Sequence, residues 1–439
     1  MAHPRKNAAR AQGALLTPDN VVEIPVEEQP YPLPEGWKWV RLGDYNCYVG
    51  ETVNPEFFQG STFELYSVPS SSVNYPEIIV GKKIGSSKQS VEPGDVLLCK
   101  INPRINRVWI VTGYTNNKLI ASSEWIIFRN RNIVSKYIMY CMKSKYFREY
   151  MLSNVSGVGG SLMRAQPKYV RLYPIPLPSF DEQQRIVDRI ESFFAKLDEA
   201  KAKVEAVLDG FEIRKAAILH KAFTGELTAK WREKKGITLD WKEKKLADIG
   251  SIVTGSTPST KHPEYYGKSI AFVKPTDLNA GRFVNHASEY LSDMGVKISR
   301  PVRSGSTCVC CIGATIGKCG FLQCNAVTNQ QINTICPYDF MDDLFVYYYC
   351  ITSEFKRILI ENSSATTLPI INKSRMSSLP IHVPCLSEQR EIVRILDSLL
   401  ANEQQAKEAA ETVLHQIDLM KKAILAKAFR GELGTHIAD

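Results

Sequence analysis

The segment Gly313-Ala314-Thr315-Ile316-Gly317-Lys318 comes nearest in this chain to a nucleotide-binding motif. A phosphate-cradling loop needs the pattern G-x-x-x-x-G-K-[ST], so that backbone N–H groups and a lysine hold phosphates and a hydroxyl holds Mg. Here the glycines stand one residue too close, and Cys319 occupies the hydroxyl position. Gly267-Lys268-Ser269 supplies the hydroxyl, but His262 stands where the first glycine belongs. An adenine methyltransferase would need a Gly-rich cofactor turn and an Asn/Asp-Pro-Pro-aromatic tetrad. Asn54-Pro55-Glu56-Phe57 lacks the second proline, and Gly157-Val158-Gly159-Gly160 lacks both the G-x-G-x-x-G spacing and a preceding strand. Six cysteines fall between Cys308 and Cys336; Cys308 and Cys311 stand at C-x-x-C spacing, but no second such pair follows, so a buried apolar strand is favoured over zinc. Glu199-Ala200-Lys201 lies on a helical seam and reads as a solvated charged face. The seven histidines pair with no ligand cluster. The expectation is a chain without catalytic residues, resident cofactor or metal.

The elements that carry these residues are written twice. Glu182-Gln183-Gln184-Arg185-Ile186-Val187 returns as Glu388-Gln389-Arg390-Glu391-Ile392-Val393. Lys221-Ala222-Phe223-Thr224-Gly225-Glu226-Leu227 returns, at the same separation, as Lys427-Ala428-Phe429-Arg430-Gly431-Glu432-Leu433. The segment between them aligns without a gap, and Trp37, Leu42 and Asp44 match Trp241, Leu246 and Asp248 upstream. The chain is a tandem duplication. Its expected parts are an N-terminal extension, partly disordered (1–33), a first globule (34–179), a helix and linker (180–237), a second globule (238–384), a second helix (385–434) and a tail (435–439).

Each globule mixes short alternating runs, such as Val108–Val111 and Ser269–Val273, with helical stretches near Lys136–Met151 and Leu344–Ile360. The class is α+β. In the first helix Ile186, Ile190, Phe193, Leu197, Ala200, Val204, Val207 and Phe211 step alternately by four and three. In the second, Ile392, Leu396, Leu399, Glu403, Ala406, Ala410, Val413, Ile417, Met420 and Ile424 do the same. Asp181 and Ser387 are read as N-caps, and Gly225 and Gly431 as C-terminal stops. A one-striped helix needs a partner, and each copy supplies one. An intramolecular two-helix coiled coil is therefore expected, with separate homodimerising coils as the alternative. Glu403 and Arg214 interrupt the seam, marking either its register or its ends. Thr224–Leu227 is read as an adjustable joint that could extend the first helix.

The 439 residues carry a net charge of +9, which fits a polyanion partner without establishing one. No run approaches the roughly 18 apolar residues of a membrane span, and Met1–Gly13 lacks a signal-peptide core. A cytoplasmic location is expected.

Globule, Pro-bounded strand end (Ile175-Pro176-Leu177-Pro178; Ile381-His382-Val383-Pro384), Glu-Gln start and heptad helix, all repeated, together resemble the specificity subunit of Type I restriction–modification systems. Gly94-Asp95-Val96-Leu97-Leu98, Gly305-Ser306-Thr307-Cys308-Val309 and Asn329-Gln330-Gln331-Ile332-Asn333 resemble strand motifs of that family's target recognition domains. The resemblance spans about residues 34–434. It implies that each globule reads one half of a split double-stranded DNA target and that the helices pair antiparallel. It further implies two modification (methyltransferase) subunits docked on the helices and restriction (motor-nuclease) subunits joining later. S-adenosylmethionine, ATP and Mg would bind those partners. A fused restriction–methylation enzyme with drifted motifs and a coiled-coil scaffold with two protein-binding heads are the competing readings.

A DNA reader needs cations for phosphates and planar polar groups for base edges. The candidates in the first globule are Lys100, Asn102, Arg104, Asn106 and Arg107, then Ser161 and Arg164. In the second they are Lys274, Thr276 and Asp277, then Thr315 and Lys318, Asn329, Gln330 and Gln331, and Thr366, Thr367 and Asn372. Gln330 and Gln331 could equally pair within the core. Ser122-Ser123-Glu124-Trp125 stands where the second copy has Asn329-Gln330-Gln331-Ile332.

Overall fold

The computed structural model describes residues 22–156, 163–364 and 369–435. The chain divides into two compact units that cut across the duplication: Met1–Lys203 with Thr412–Asp439, and Val204–Glu411.

In the first unit, strand Val96–Cys99 pairs antiparallel with both Val108–Ile110 and Trp125–Phe128. Its four side chains are all buried, so it reads as a continuous apolar run instead of an alternating one. A five-stranded sheet lies beside it in the order Thr52–Val53, Lys88–Ser90, Lys118–Ala121, Thr62–Tyr66, Glu77–Val80. Helices Ser135–Lys143 and Lys145–Ser153 cover the core through Tyr137, Ile138 and Phe147. They are two helices where the sequence suggests one, because buried Ser144 turns its hydroxyl back to the Cys141 carbonyl. Strand Lys38–Arg41 pairs with Pro174–Leu177, tying together the two ends of the globule. Residues of the N-terminal extension are docked here: Ile24 N–H donates to the Trp39 carbonyl, and the Tyr31 ring meets Trp39 edge-on at 4.9 Å.

The second unit repeats the plan. Thr307–Cys310 lies between Ile332–Pro337 and Cys319–Leu322, in a five-stranded sheet flanked by Gly250–Thr254 and Phe283–Val284. Tyr266–Val273 pairs antiparallel with Glu289–Leu291 and parallel with Ala326–Thr328. Helices Asp343–Cys350 and Ser353–Glu361 break at Thr352, whose hydroxyl caps the second by accepting from Phe355 N–H. All eleven cysteines are free thiols. Burial pushes the Cys308 and Cys311 thiols up to about 12, which keeps them protonated as apolar filler. Among the described residues no three His, Cys, Asp or Glu side chains converge.

The long helices run Phe180–Asp209, Phe211–Phe223 and Leu386–Ala428. They start one residue before the expected caps. Ser179 Oγ accepts from Glu182 N–H, while Asp181 and Ser387 lie inside the first turns. Gly210 loosens the first seam into two helices, and the Arg214 guanidinium donates to the freed Val207 carbonyl. Both helix ends close on left-handed glycines, Gly225 (φ 79°) and Gly431 (φ 74°). Thr224–Leu227 is therefore a cap, sealed by Leu227 N–H on the Lys221 carbonyl, and it does not extend the helix.

Helix pairing is antiparallel within each unit. In the first, Ile186, Val187 and Ile190 share a core with Leu425, Ala428 and Phe429, and further along Lys421 binds Asp198. In the second, Leu219 and Ala222 pack with Ile392 and Leu396, and Phe211 lies under Lys407. Of the expected seam, Ile186, Ile190, Phe211, Ile392, Leu396 and Ile417 are buried; Phe193, Leu197, Val204, Leu399 and Ile424 are half-buried. Ala200, Val207, Ala406, Val413 and Met420 are exposed, so the contact between the helices is narrower than the expected seam. Near the globules the burial widens to include Val187, Val393, Leu425 and Phe429.

Arg214 and Glu403 meet across the seam, Nε to Oε2 at 2.9 Å, so the interruption marks register. Because both are partly exposed, Glu403→Ala should cost about 0.5–1 kcal/mol. A double-mutant cycle with Arg214→Ala in urea should recover most of that as coupling. Zero coupling would mean that the pair does not pin the helices.

The duplicated motifs acquire a physical reason here. Gln183 accepts from Val134 N–H and donates to the Pro178 carbonyl; Gln389 accepts from Asp342 N–H and donates to the Pro384 carbonyl. Glu182 accepts from Thr435 Oγ1, and Glu388 from Thr228 Oγ1 and Arg232 Nη1. Each Glu-Gln start thus clamps its own globule and receives the helix end of the other copy.

Candidate nucleic-acid interface

The polar run of the first globule is a tight turn between Val96–Cys99 and Val108–Ile110. Asn102 (φ 47°) and Asn106 (φ 52°) take the left-handed backbone that asparagine tolerates better than other non-glycine residues. Asn106 also donates from Nδ2 to the Met142 carbonyl. Both backbones shape the turn, and the Asn106 amide is engaged within it. The turn leaves Arg104 exposed at its tip, and its guanidinium makes no hydrogen bond or ion pair among the described residues. Arg107 is half-buried where the next strand begins, its carbonyl accepting from Cys99 N–H.

The second globule builds the same turn from the false phosphate loop. Gly313 (φ 76°) and Gly317 (φ 80°) take the two left-handed positions. Ile316 N–H returns to the Gly313 carbonyl as Ile105 does to Asn102, and Cys310 N–H reaches the Lys318 carbonyl as Cys99 does Arg107. Thr315 therefore stands at the place of Arg104, and Lys318 at that of Arg107. Thr315 is exposed, with Oγ1 3.2 Å from the Cys310 sulfur.

Other candidates are brought to these turns. Met163 accepts from Asn102 N–H and Ala165 N–H donates to the Lys100 carbonyl, so Arg164 joins the first turn. Lys318 Nζ donates to the Pro275 carbonyl, joining the Lys274–Asp277 turn to the second. Asp277 receives Lys274 N–H and Ser288 N–H, and Lys274 pairs with Glu289. Asp277 is thus a turn former, and Thr276 is exposed beside it. Asn329 Nδ2 lies 3.4 Å from Gln331 Oε1, while exposed Gln330 accepts from Thr257 Oγ1. Asn372 caps helix Lys373–Ser377 by accepting from Arg375 N–H, which assigns its side chain a structural task. Ser161, Thr366 and Thr367 lie outside the described residues.

Residues 34–208 and 238–412 each match the family model of the Type I restriction modification DNA specificity domain. The chain belongs to that family. The HindI specificity subunit of Haemophilus influenzae is 24% identical, over 90% of this chain and 99% of its own length. The StySPI specificity subunit of Salmonella potsdam is 25% identical, over 91% and 90%. The HsdS subunit from Thermoanaerobacter tengcongensis shares the fold, with a TM-score of 0.63 at 22% identity over 92% of this chain and 99% of that one. A chain from a structural study of type I R-M complex assembly and conformational transition gives 0.76 at 21% identity, over 92% and 100%.

Sequence reasoning missed three side chains of these specificity domains. Arg148 donates to the Arg104 carbonyl from helix Lys145–Ser153. Lys356, on the corresponding helix, lies against Gly317, where an added Cβ would meet its Cγ at 3.1 Å. Glu124 accepts from Arg164 and lies 3.8 Å from Lys100 Nζ. None carries a sequence signal, since each reaches its turn only through packing.

Proposed function

We propose that the chain recognises a split double-stranded DNA target, one half-site per globule, and so directs the modification and restriction subunits of a Type I system. One observation carries this: two globules share a strand-end turn framework while its tips differ, Arg104 against Thr315. Like scaffolds with unlike tips suit an asymmetric target. The relatives are specificity subunits, so chemistry lies with the partners. S-adenosylmethionine, ATP and Mg would bind there. Two modification subunits would cover the helices, a reading supported by exposed Val207 and Ile213 in one unit and Val413, Leu419 and Met420 in the other. No helix among the described residues is long and apolar enough to cross a membrane. The working location would be the cytoplasm.

The test exchanges residues 34–179 for the first globule of another family member and maps adenine methylation in cells that also make the modification subunit. One half of the methylated sequence should change. Change in both halves, or in neither, overturns the reading.

The turn makes a finer prediction. Arg104→Ala should cost about 1–3 kcal/mol in binding and relax one base preference. Arg107→Ala, at the position Lys318 shares, should weaken binding to all sequences and lower the salt slope by about one unit. Duplex titrations at several salt concentrations separate the two. Unchanged affinity in both variants removes the turn from the interface.

A further inference from the structure

The two globules match hydrogen bond for hydrogen bond around a short bridge beside each turn. Lys100 N–H donates to the Glu124 carbonyl, and Cys311 N–H to the Gln331 carbonyl. Asn102 N–H donates to Met163, and Gly313 N–H to Pro369; Ala165 N–H donates to Lys100, and Ile371 N–H to Cys311. Ile101 bridges Arg164, and Ile312 bridges Ile370. Glu124 N–H is held by Ser122 Oγ, and Gln331 N–H by Asn329 Oδ1. Three positions are thereby equated: Lys100 with Cys311, Glu124 with Gln331, and Arg164 with Ile370.

All three change character together. In the first globule, Glu124, three-quarters buried, accepts from Arg164 Nη2 at 3.1 Å, while Lys100 Nζ donates to the Ser123 carbonyl at 2.7 Å. Arg164 is half-exposed, so its remaining donors face solvent while the carboxylate restrains the fork. In the second globule the set is neutral: Cys311 is buried, Gln331 half-buried and Ile370 36% exposed. A restrained, outward guanidinium matches the paired acceptors O6 and N7 of guanine. An exposed branched aliphatic at the same place has no donor and suits the thymine methyl.

Resting on the DNA-reading role above, we propose that the bridge position, Arg164 in one globule and Ile370 in the other, is a specificity determinant that selects a G·C pair in the first half-site and an A·T pair in the second, with Glu124 as the positioning residue for Arg164. The ionic triad is a pre-oriented reader, and its neutral counterpart is the same reader with the opposite preference.

The experiment measures methylation rates by the complex of the full chain with its modification subunits. The substrates are duplexes in which each base pair of the wild-type motif is replaced in turn by the other three. Arg164→Ile should reduce discrimination at one G·C pair of the first half-site by about 5- to 150-fold, the range for one bidentate contact. Other positions should keep their ratios. Glu124→Gln and Arg164→Lys should relax that same pair, and Ile370→Arg should shift one A·T pair of the second half-site toward G·C. A structural role would instead lower all rates in common, leaving every ratio intact. Uniform loss, or unchanged ratios in Arg164→Ile and Ile370→Arg with unaltered thermal unfolding, overturns the assignment. If exchanging the whole first globule also leaves the motif unchanged, the DNA-reading role fails too, so the two failures are distinguishable.

Discussion

Glu388→Ala is expected to lower the stability of the unit formed by residues 204–411 by about 3–5 kcal/mol, the usual cost of removing one partner from a buried ion pair. Glu388 is 2% exposed and Arg232 8%. The carboxylate accepts from Arg232 Nη1 and Thr228 Oγ1, and Arg232 Nη2 donates to the Gly225 carbonyl. Without the carboxylate, a buried guanidinium loses its counter-charge beside the cap that ends Phe211–Phe223. The chain leaving that helix, through Ala229–Lys235, should loosen with it. Glu388→Gln keeps an acceptor oxygen and should cost less. Urea unfolding gives the free energy, and amide exchange over residues 224–236 reports where it is lost. A cost below about 1 kcal/mol would mean that water already shares the pair, since exposed pairs are worth that little.

The second large effect crosses the chain. Phe429→Ala, near the C-terminus, should destabilise the N-terminal globule by about 3–5 kcal/mol. Phe429 is fully buried, its ring centroid 5.3 Å from that of Tyr137, in a core shared with Ile186 and Ile190. Its carbonyl also accepts from Tyr31 Oη at 3.0 Å, which holds part of the N-terminal extension. The counterpart Phe223 is only half-buried against Phe345 and Tyr349, so Phe223→Ala should cost less and act on the other unit. Exchange protection in helix Ser135–Lys143 should fall in Phe429→Ala and hold in Phe223→Ala. Equal loss in both units would show that they unfold as one and that the crossed packing carries no separate energy.

The amino-acid sequence by itself determined the duplication, the α+β class of both globules, the long helices and their stops at Gly225 and Gly431. Each of these is a local signal: a period along one helix, a run of buried strand residues, or a glycine where the backbone must turn left-handed. Tertiary structure alone decided that Glu182 and Glu388 each anchor the helix end of the other copy, since no period links Glu388 to Thr228. It also divided the polar run Lys100–Arg107 into residues that shape the turn, Asn102 and Asn106, and Arg104 at the exposed tip. It brought Glu124 to Arg164, although the two are far apart in the chain. Helical and strand patterns repeat at every few residues and show in any window of sequence. A side chain's partner across a turn depends on where separate segments fold back, and only the packed core fixes that.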